Sequence, residues 1–302
     1  MCRMILLSLI SILSLSSLGV HCEKEDKKIP LDSKFEQQIL TTPEEQQKYQ
    51  KLKEYREKLV NVIGEYTDYV QKSFELNEPI DKEKVEQYKK QISKYEKEYT
   101  EKLKEFFNFI GPEKVFLWAI EVDKTEPEAS GWILFYGGLS DWKTNPQAFL
   151  NSYIYFNKYR ERMSEKFKND TEESIYDFTS KTMTLEQEKG TINEAIKFLS
   201  NPKNQQEYKV ITMQFLWDVW NVFWTRVEKM DKKSEIYEEM NKQVLRIIET
   251  ASQFNQDVVL APKVEELLEK FKGIYTKEEL PEDFKNSPSY LTVSQILKTY
   301  IR

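Results

Sequence analysis

The sequence predicts an all-α fold, a helical bundle with a long antiparallel helical hairpin near its N-terminus. Three observations predict it. Gly and Pro are scarce, at 8 and 10 of 302 residues, while charged residues make up 32%, a balance that favours helix over strand. Apolar residues recur at three- and four-residue spacing over long stretches, the helical period. Capping and breaking residues bracket those stretches.

The first segment is of another kind. Arg3 precedes an apolar, Ser-rich run over residues 4–18, too short for a convincing membrane span and suited to a secretory signal peptide. Val20 and Cys22 supply small residues for cleavage before Glu23; Ser17 and Gly19 would supply them for cleavage before Val20. The first cut is favoured because a charged run then opens the mature chain, giving a signal peptide over 1–22. A lipid on Cys22 is disfavoured by His21 directly before it, where such sites take a small residue. Residues 23–41 are polar and aperiodic and read as a flexible arm.

The hairpin is expected over 42–110. Thr42 caps, Pro43 takes the first helical position and Glu45 closes a capping box. The stripe from Tyr49 through Leu52, Leu59, Tyr66 and Val70 to Phe74 is nearly heptad. Asn77-Glu78-Pro79 breaks it. A second stripe from Val85 through Tyr88, Tyr99 and Phe106 to Ile110 stops at Gly111-Pro112. A short link between two long helices implies an antiparallel pair. Both seams are Tyr-rich, which suits a partly wet helix seam, with a partner-binding face as the functional alternative.

A Trp-rich helical bundle is expected over 111–302, either a second subdomain divided from the hairpin near Gly111 or continuous with it. The apolar runs 115–122 and 132–139 are ambiguous by period; the helical context favours short buried helices over a small hairpin. Gly137-Gly138 suggests close packing or a turn. Asn145-Pro146 starts a helix that the apolar spacing carries to Phe167, with a turn at Asn169-Asp170-Thr171. The next helix is expected to reach Lys189 and end at Gly190, with Thr191 and Glu194 forming a fresh capping box. Residues 204–230 are apolar nearly all round and read as the centre of the bundle. Further helices are expected over 234–254 and 262–272, with a terminal one over 291–300.

With cleavage before Glu23, both cysteines and the only histidine leave with the signal, and loss of Arg3 takes the net charge from −6 to −7. Such a chain has no Ser-His-Asp or Cys-His machinery and no ordinary zinc or haem-His site. Interleaved Lys and Glu argue for solvated helix faces and against a nucleic-acid surface. Glycine loops for phosphate are absent. No cofactor and no metal are therefore expected, no catalytic residue is nominated, and a non-enzymatic role is favoured.

Candidate ligand-binding residues lie in the most apolar helix. Trp217, Trp220 and Trp224 share one side of it at helical spacing and could line a pocket for an apolar or cationic molecule; as core they need no further role. Asp218 sits on the narrow polar strip, where a buried carboxylate needs a partner such as Arg226. Asn169 heads the N-glycosylation acceptor pattern Asn-Asp-Thr.

The stretches Glu44-Glu45-Gln46-Gln47-Lys48-Tyr49 and Phe215-Leu216-Trp217-Asp218-Val219-Trp220, with the signal peptide and the Lys/Glu-rich helical body, resemble the 34-kDa salivary secreted protein family of culicine mosquitoes. The resemblance implies release into a vertebrate host and modulation of haemostasis or immunity, and brings no site residue with it. The expectation is a secreted, extracellular interaction protein that binds a host protein or cell-surface component, with no membrane span; the heptad-like stripes permit a homodimer. The alternative is a carrier of a lipid or biogenic amine with a Trp-lined pocket.

Overall fold

The computed structural model describes residues 38–227 together with Ser234, Glu235, Glu239, Gln243, Arg246, Ile247 and Thr250. At 128, 217, 220, 221 and 223–227 it describes the backbone alone. The signal peptide and the helices expected over 262–272 and 291–300 lie outside the described residues. Among these residues the fold is all-α: α1 (Pro43–Glu75), α2 (Lys82–Ile110), α3 (Pro112–Asp123), α4 (Pro127–Tyr136), α5 (Pro146–Tyr159), α6 (Glu165–Asp177), α7 (Leu185–Leu199) and α8 (Pro202–Val227), with a 3-10 turn over Arg160–Arg162 and a π turn over Phe178–Thr182. They divide into two compact units, one of residues 38–140 with 159–168, the other of residues 141–158 with the rest.

In the first unit, α1 and α2 form the antiparallel hairpin. The Thr42 hydroxyl accepts from the Glu45 amide at 3.2 Å and the Glu45 carboxylate accepts from the Thr42 amide at 3.0 Å, the reciprocal box that the sequence announces. Asp81 caps α2 by accepting from the amides of Glu83 and Lys84. The burial is uneven along the pair. Tyr49, Leu52 and Leu59 of α1 meet Tyr99, Leu103, Phe106, Phe107 and Ile110 of α2 as buried side chains. Between residues 60 and 92 only Ser73 is buried. Two helices share a single seam, so the distal half stays wet, and its tyrosines touch sidelong: the rings of Tyr66 and Tyr69 lie 5.7 and 6.0 Å from that of Tyr88.

At the base two more helices close the core. The ambiguous runs 115–122 and 132–139 are helices, most of each within α3 or α4. Trp118, 5% exposed, has ring contacts with Tyr49, Phe106 and Phe107 at 5.1, 5.9 and 6.2 Å. Gly137 ends α4 against Val115, so closely that a Cβ there would overlap the Val115 side chain. Gly138 follows with φ +70°, a left-handed turn that glycine adopts without strain. Both readings of this pair therefore hold. Gly111 lies within the first unit, because α3 and α4 pack on the hairpin. The arm expected over 23–41 ends earlier: Ile39 and Leu40 are buried, and Lys114 Nζ bonds Thr41 at 3.0 Å and Glu45 at 2.6 Å.

Helix boundaries after Tyr159 differ from expectation. The chain breaks at Met163, and Ser164 caps α6 by accepting from the Phe167 amide at 3.1 Å. The Ser164 hydroxyl also donates to buried Asp123, a distant partner that spacing along the chain does not reveal. Asn169 consequently sits within α6, exposed, and not in a turn. α6 gives way at Asp177 to the π turn. The next capping box belongs to Thr184 and Gln187, so Thr191 lies in mid-helix at 1% exposure and α7 passes through Gly190.

In the second unit, α5 carries dense burial, with Phe149, Leu150, Tyr153, Ile154, Tyr155 and Phe156 all inside. Phe149 packs on Phe178 and Phe215, ring centres 4.9 and 5.5 Å away. α7 and α8 pair through Ile192, Ala195 and Leu199 on one side and Met213, Leu216 and Val219 on the other.

Two outcomes follow from this packing. A Cβ on Gly190 would lie 2.8 Å from Pro146 Cγ. Gly190→Ala gains about 1 kcal/mol of helix propensity but meets a rigid ring, where overpacking costs about 1–3 kcal/mol; its urea midpoint should fall. Burial raises the Glu45 carboxyl, but the Lys114 ammonium and Thr42 outweigh it and hold the group below its ordinary 4.5. Its contribution is thus complete above that value and lost as pH falls through the lower folded one. Glu45→Ala should cost about 1–3 kcal/mol at neutral pH, and urea titrations should show the gap from wild type closing in acid.

Candidate interaction site

Trp217, Asp218, Trp220 and Trp224 all fall within α8. For the three tryptophans the described part is backbone. Asp218 is half-buried and accepts from the Gln214 amide at 2.7 Å and from the Tyr153 hydroxyl. Both donors are neutral, one from its own helix and one from α5; the side chain of Arg226, the partner named from sequence, lies outside the described residues. Burial, then the Asp218 carboxylate, hold the Tyr153 phenol far above its ordinary value, so it remains a proton donor. The ring of Tyr153 lies 4.9 Å from Phe215. This pair is a satisfied bond joining two helices. The sequence signals only that a phenol on the apolar face of α5 needs an acceptor; that the acceptor is Asp218, on another helix, comes from the fold.

The cavities differ in what they can hold. In the first unit, Tyr49, Tyr99, Phe107, Trp118, Trp132 and Tyr136 line a cleft of about 40 Å³. That volume takes a few waters or a side-chain tip; drug-sized ligands need roughly 300 Å³ or more. Burial raises the phenols of Tyr99 and Tyr136, with Arg56 opposing at the first and Glu96 adding at the second. In the second unit a solvent-open cleft of about 520 Å³ lies among Trp142, Phe178, Lys143, Asp170, Glu173 and Asp177. Among the described residues no group of three His, Cys, Asp or Glu could hold a metal, and no helix is long and apolar enough to cross a membrane.

The most unusual surface is the hairpin tip. Phe74 is 73% exposed, Leu76 65% and Ile80 38%, all within seven residues at one turn. Large apolar side chains left in water close together in sequence are candidates for a contact surface. The turn that displays them is well tied. The amides of Asn77 and Glu78 donate to the carbonyls of Phe74 and Ser73 at 3.2 and 2.9 Å. Asn77 takes φ +56°, the left-handed region that Asn tolerates. The Tyr69 hydroxyl accepts from the Asp81 amide at 2.9 Å, and Lys84 Nζ stands 4.2 Å over the Tyr69 ring. Phe74 belongs to the seam stripe by spacing; its exposure lies at the turn just before the partner helix begins, at Lys82.

Compared with family models, with curated proteins and with solved structures, the chain matches none. The site therefore rests on its own geometry.

The Tyr153–Asp218 bond has a measurable weight. Tyr153→Phe strips a half-buried carboxylate of one donor, and should lower stability by about 1–3 kcal/mol. Thermal unfolding followed by circular dichroism checks this; an unchanged midpoint would mean water replaces the phenol freely.

Proposed function

We propose that this is a secreted, non-enzymatic interaction protein that binds a host macromolecule through the tip of its hairpin. The observation that carries the reading is the exposure of Phe74, Leu76 and Ile80 on a tied turn. Full burial of such a side chain is worth about 1.5–3 kcal/mol, so a partner that covers the tip gains affinity without reorganising it. The signal-like segment supports secretion, and the resemblance to salivary secreted proteins supports a vertebrate host and a role in immunity or haemostasis. The acceptor pattern at exposed Asn169 supports glycosylation in the same pathway.

A second reading is carriage of a small ligand. The open cleft beside Trp142 favours it and, with Asp170, Glu173 and Asp177 on its wall, favours a biogenic amine over a lipid. Tryptophan fluorescence titrated with tyramine checks this reading; no saturable change would remove it.

The main reading predicts that immobilised wild-type protein retains a component of vertebrate plasma or of host cell surfaces, and that Phe74→Ser/Leu76→Ser loses it. Both positions are exposed, so the variant should unfold at the wild-type temperature. Equal retention by the two proteins would count against the tip.

A further inference from the structure

The tip combines apolar side chains with charge of one sign. Across the turn from Glu75 to Asp81 there are three exposed carboxylates, Glu75, Glu78 and Asp81, and no Lys or Arg. The contacts that Glu75 and Asp81 make are with neutral groups. The Gln71 amide donates to Glu75 at 2.8 Å, and the Glu83 amide donates to Asp81 at 2.8 Å. Hydrogen bonds of this kind orient a carboxylate and leave its charge in place. The cations that flank this stretch in sequence, Lys72, Lys82 and Lys84, belong to α1 and α2, and Lys84 lies over the Tyr69 ring.

The amide donors of the turn are largely occupied. Leu76, Asn77 and Glu78 donate to carbonyls of α1, Asp81 donates to Tyr69, and Pro79 has no amide proton to give. Recognition by strand addition, which draws on free main-chain groups along an extended edge, is therefore disfavoured at this turn. What remains for a partner is the side-chain set: Phe74, Leu76 and Ile80 with carboxylates around them.

From this juxtaposition we infer that the tip docks into an apolar pocket of a partner protein whose rim carries Lys or Arg. The inference rests on the reading above, that the tip is the contact surface. Charge complementarity selects the occupant. A bilayer is disfavoured, because the three carboxylates would enter its interface with the apolar residues, and anionic headgroups would repel them. A second copy docking tip to tip would bring six like charges together across the contact, counted as three per turn.

The experiment compares wild type, Phe74→Ser/Leu76→Ser and Glu75→Gln/Glu78→Gln, each immobilised at the C-terminus and exposed to vertebrate plasma. The retained protein is then titrated at rising salt. The same chains are tested on vesicles of phosphatidylcholine, with and without phosphatidylserine, and by sedimentation alone. The inference expects a partner lost with the apolar variant and weakened roughly tenfold by the carboxylate variant. It also expects wild-type affinity to fall about tenfold from low to high salt, with a flatter dependence for the carboxylate variant. Loss with the apolar variant alone, without any effect of salt or of the carboxylates, overturns the basic rim and leaves the contact surface standing. Equal retention by all three chains, or no retention by wild type, overturns both. Tip-dependent binding to either vesicle, or tip-dependent self-association, overturns the choice of a basic protein partner.

Discussion

The aromatic contact that fixes Trp118 against Tyr49, Phe106 and Phe107 is the constraint on which the first unit depends. A pair of helices can bury only the strip where they meet. The N-terminal half of α1 and the C-terminal half of α2 escape that limit because α3 and α4 cover them, and Trp118 fills the space between. Each large aromatic ring withdraws roughly 150–250 Å² from water. The Glu45–Lys114 pair and the capping box then fasten the start of α1 to the same place. Beyond Leu59 nothing comparable exists among the described residues, and the hairpin is held by half-buried tyrosines and by its closed turn.

That gradient gives the hairpin two physical characters. Its base belongs to a core. Its far end holds shape through local hydrogen bonds and displays apolar side chains that the core does not need. The cleft beside Trp118, at about 40 Å³, is too small for a drug-sized ligand. On the proposed reading, the packed base of the hairpin serves to hold the tip in one conformation.

The sequence displayed these features unequally. The hairpin was legible nearly to the residue, because Thr42-Pro43 and Asp81 state their caps locally and Gly111-Pro112 states a stop. The two apolar runs at 115–122 and 132–139 needed the tertiary context to become helices. The region from Tyr159 to Thr191 misled for a specific reason. Two Ser/Thr-x-x-Glu/Gln patterns occur, at Thr184 and Thr191; the first caps and the second is buried in mid-helix, a difference of tertiary burial that the local pattern does not carry. The break at Ser164 likewise depends on Asp123, far away along the chain. The bond from Tyr153 to Asp218 spans two helices and has no local signature. Exposure of Phe74 was hidden too, since the stripe runs on at regular spacing past the point where the pair still buries side chains.

Hydrogen exchange read by mass spectrometry on the intact protein tests the central physical claim most directly. The account predicts that amides near Tyr99–Trp118 exchange only with global unfolding, whereas those between residues 62 and 92 open at far lower free energy, and that Trp118→Leu brings the base toward the behaviour of the distal half. Uniform protection along α1 and α2, indifferent to Trp118, would contradict it.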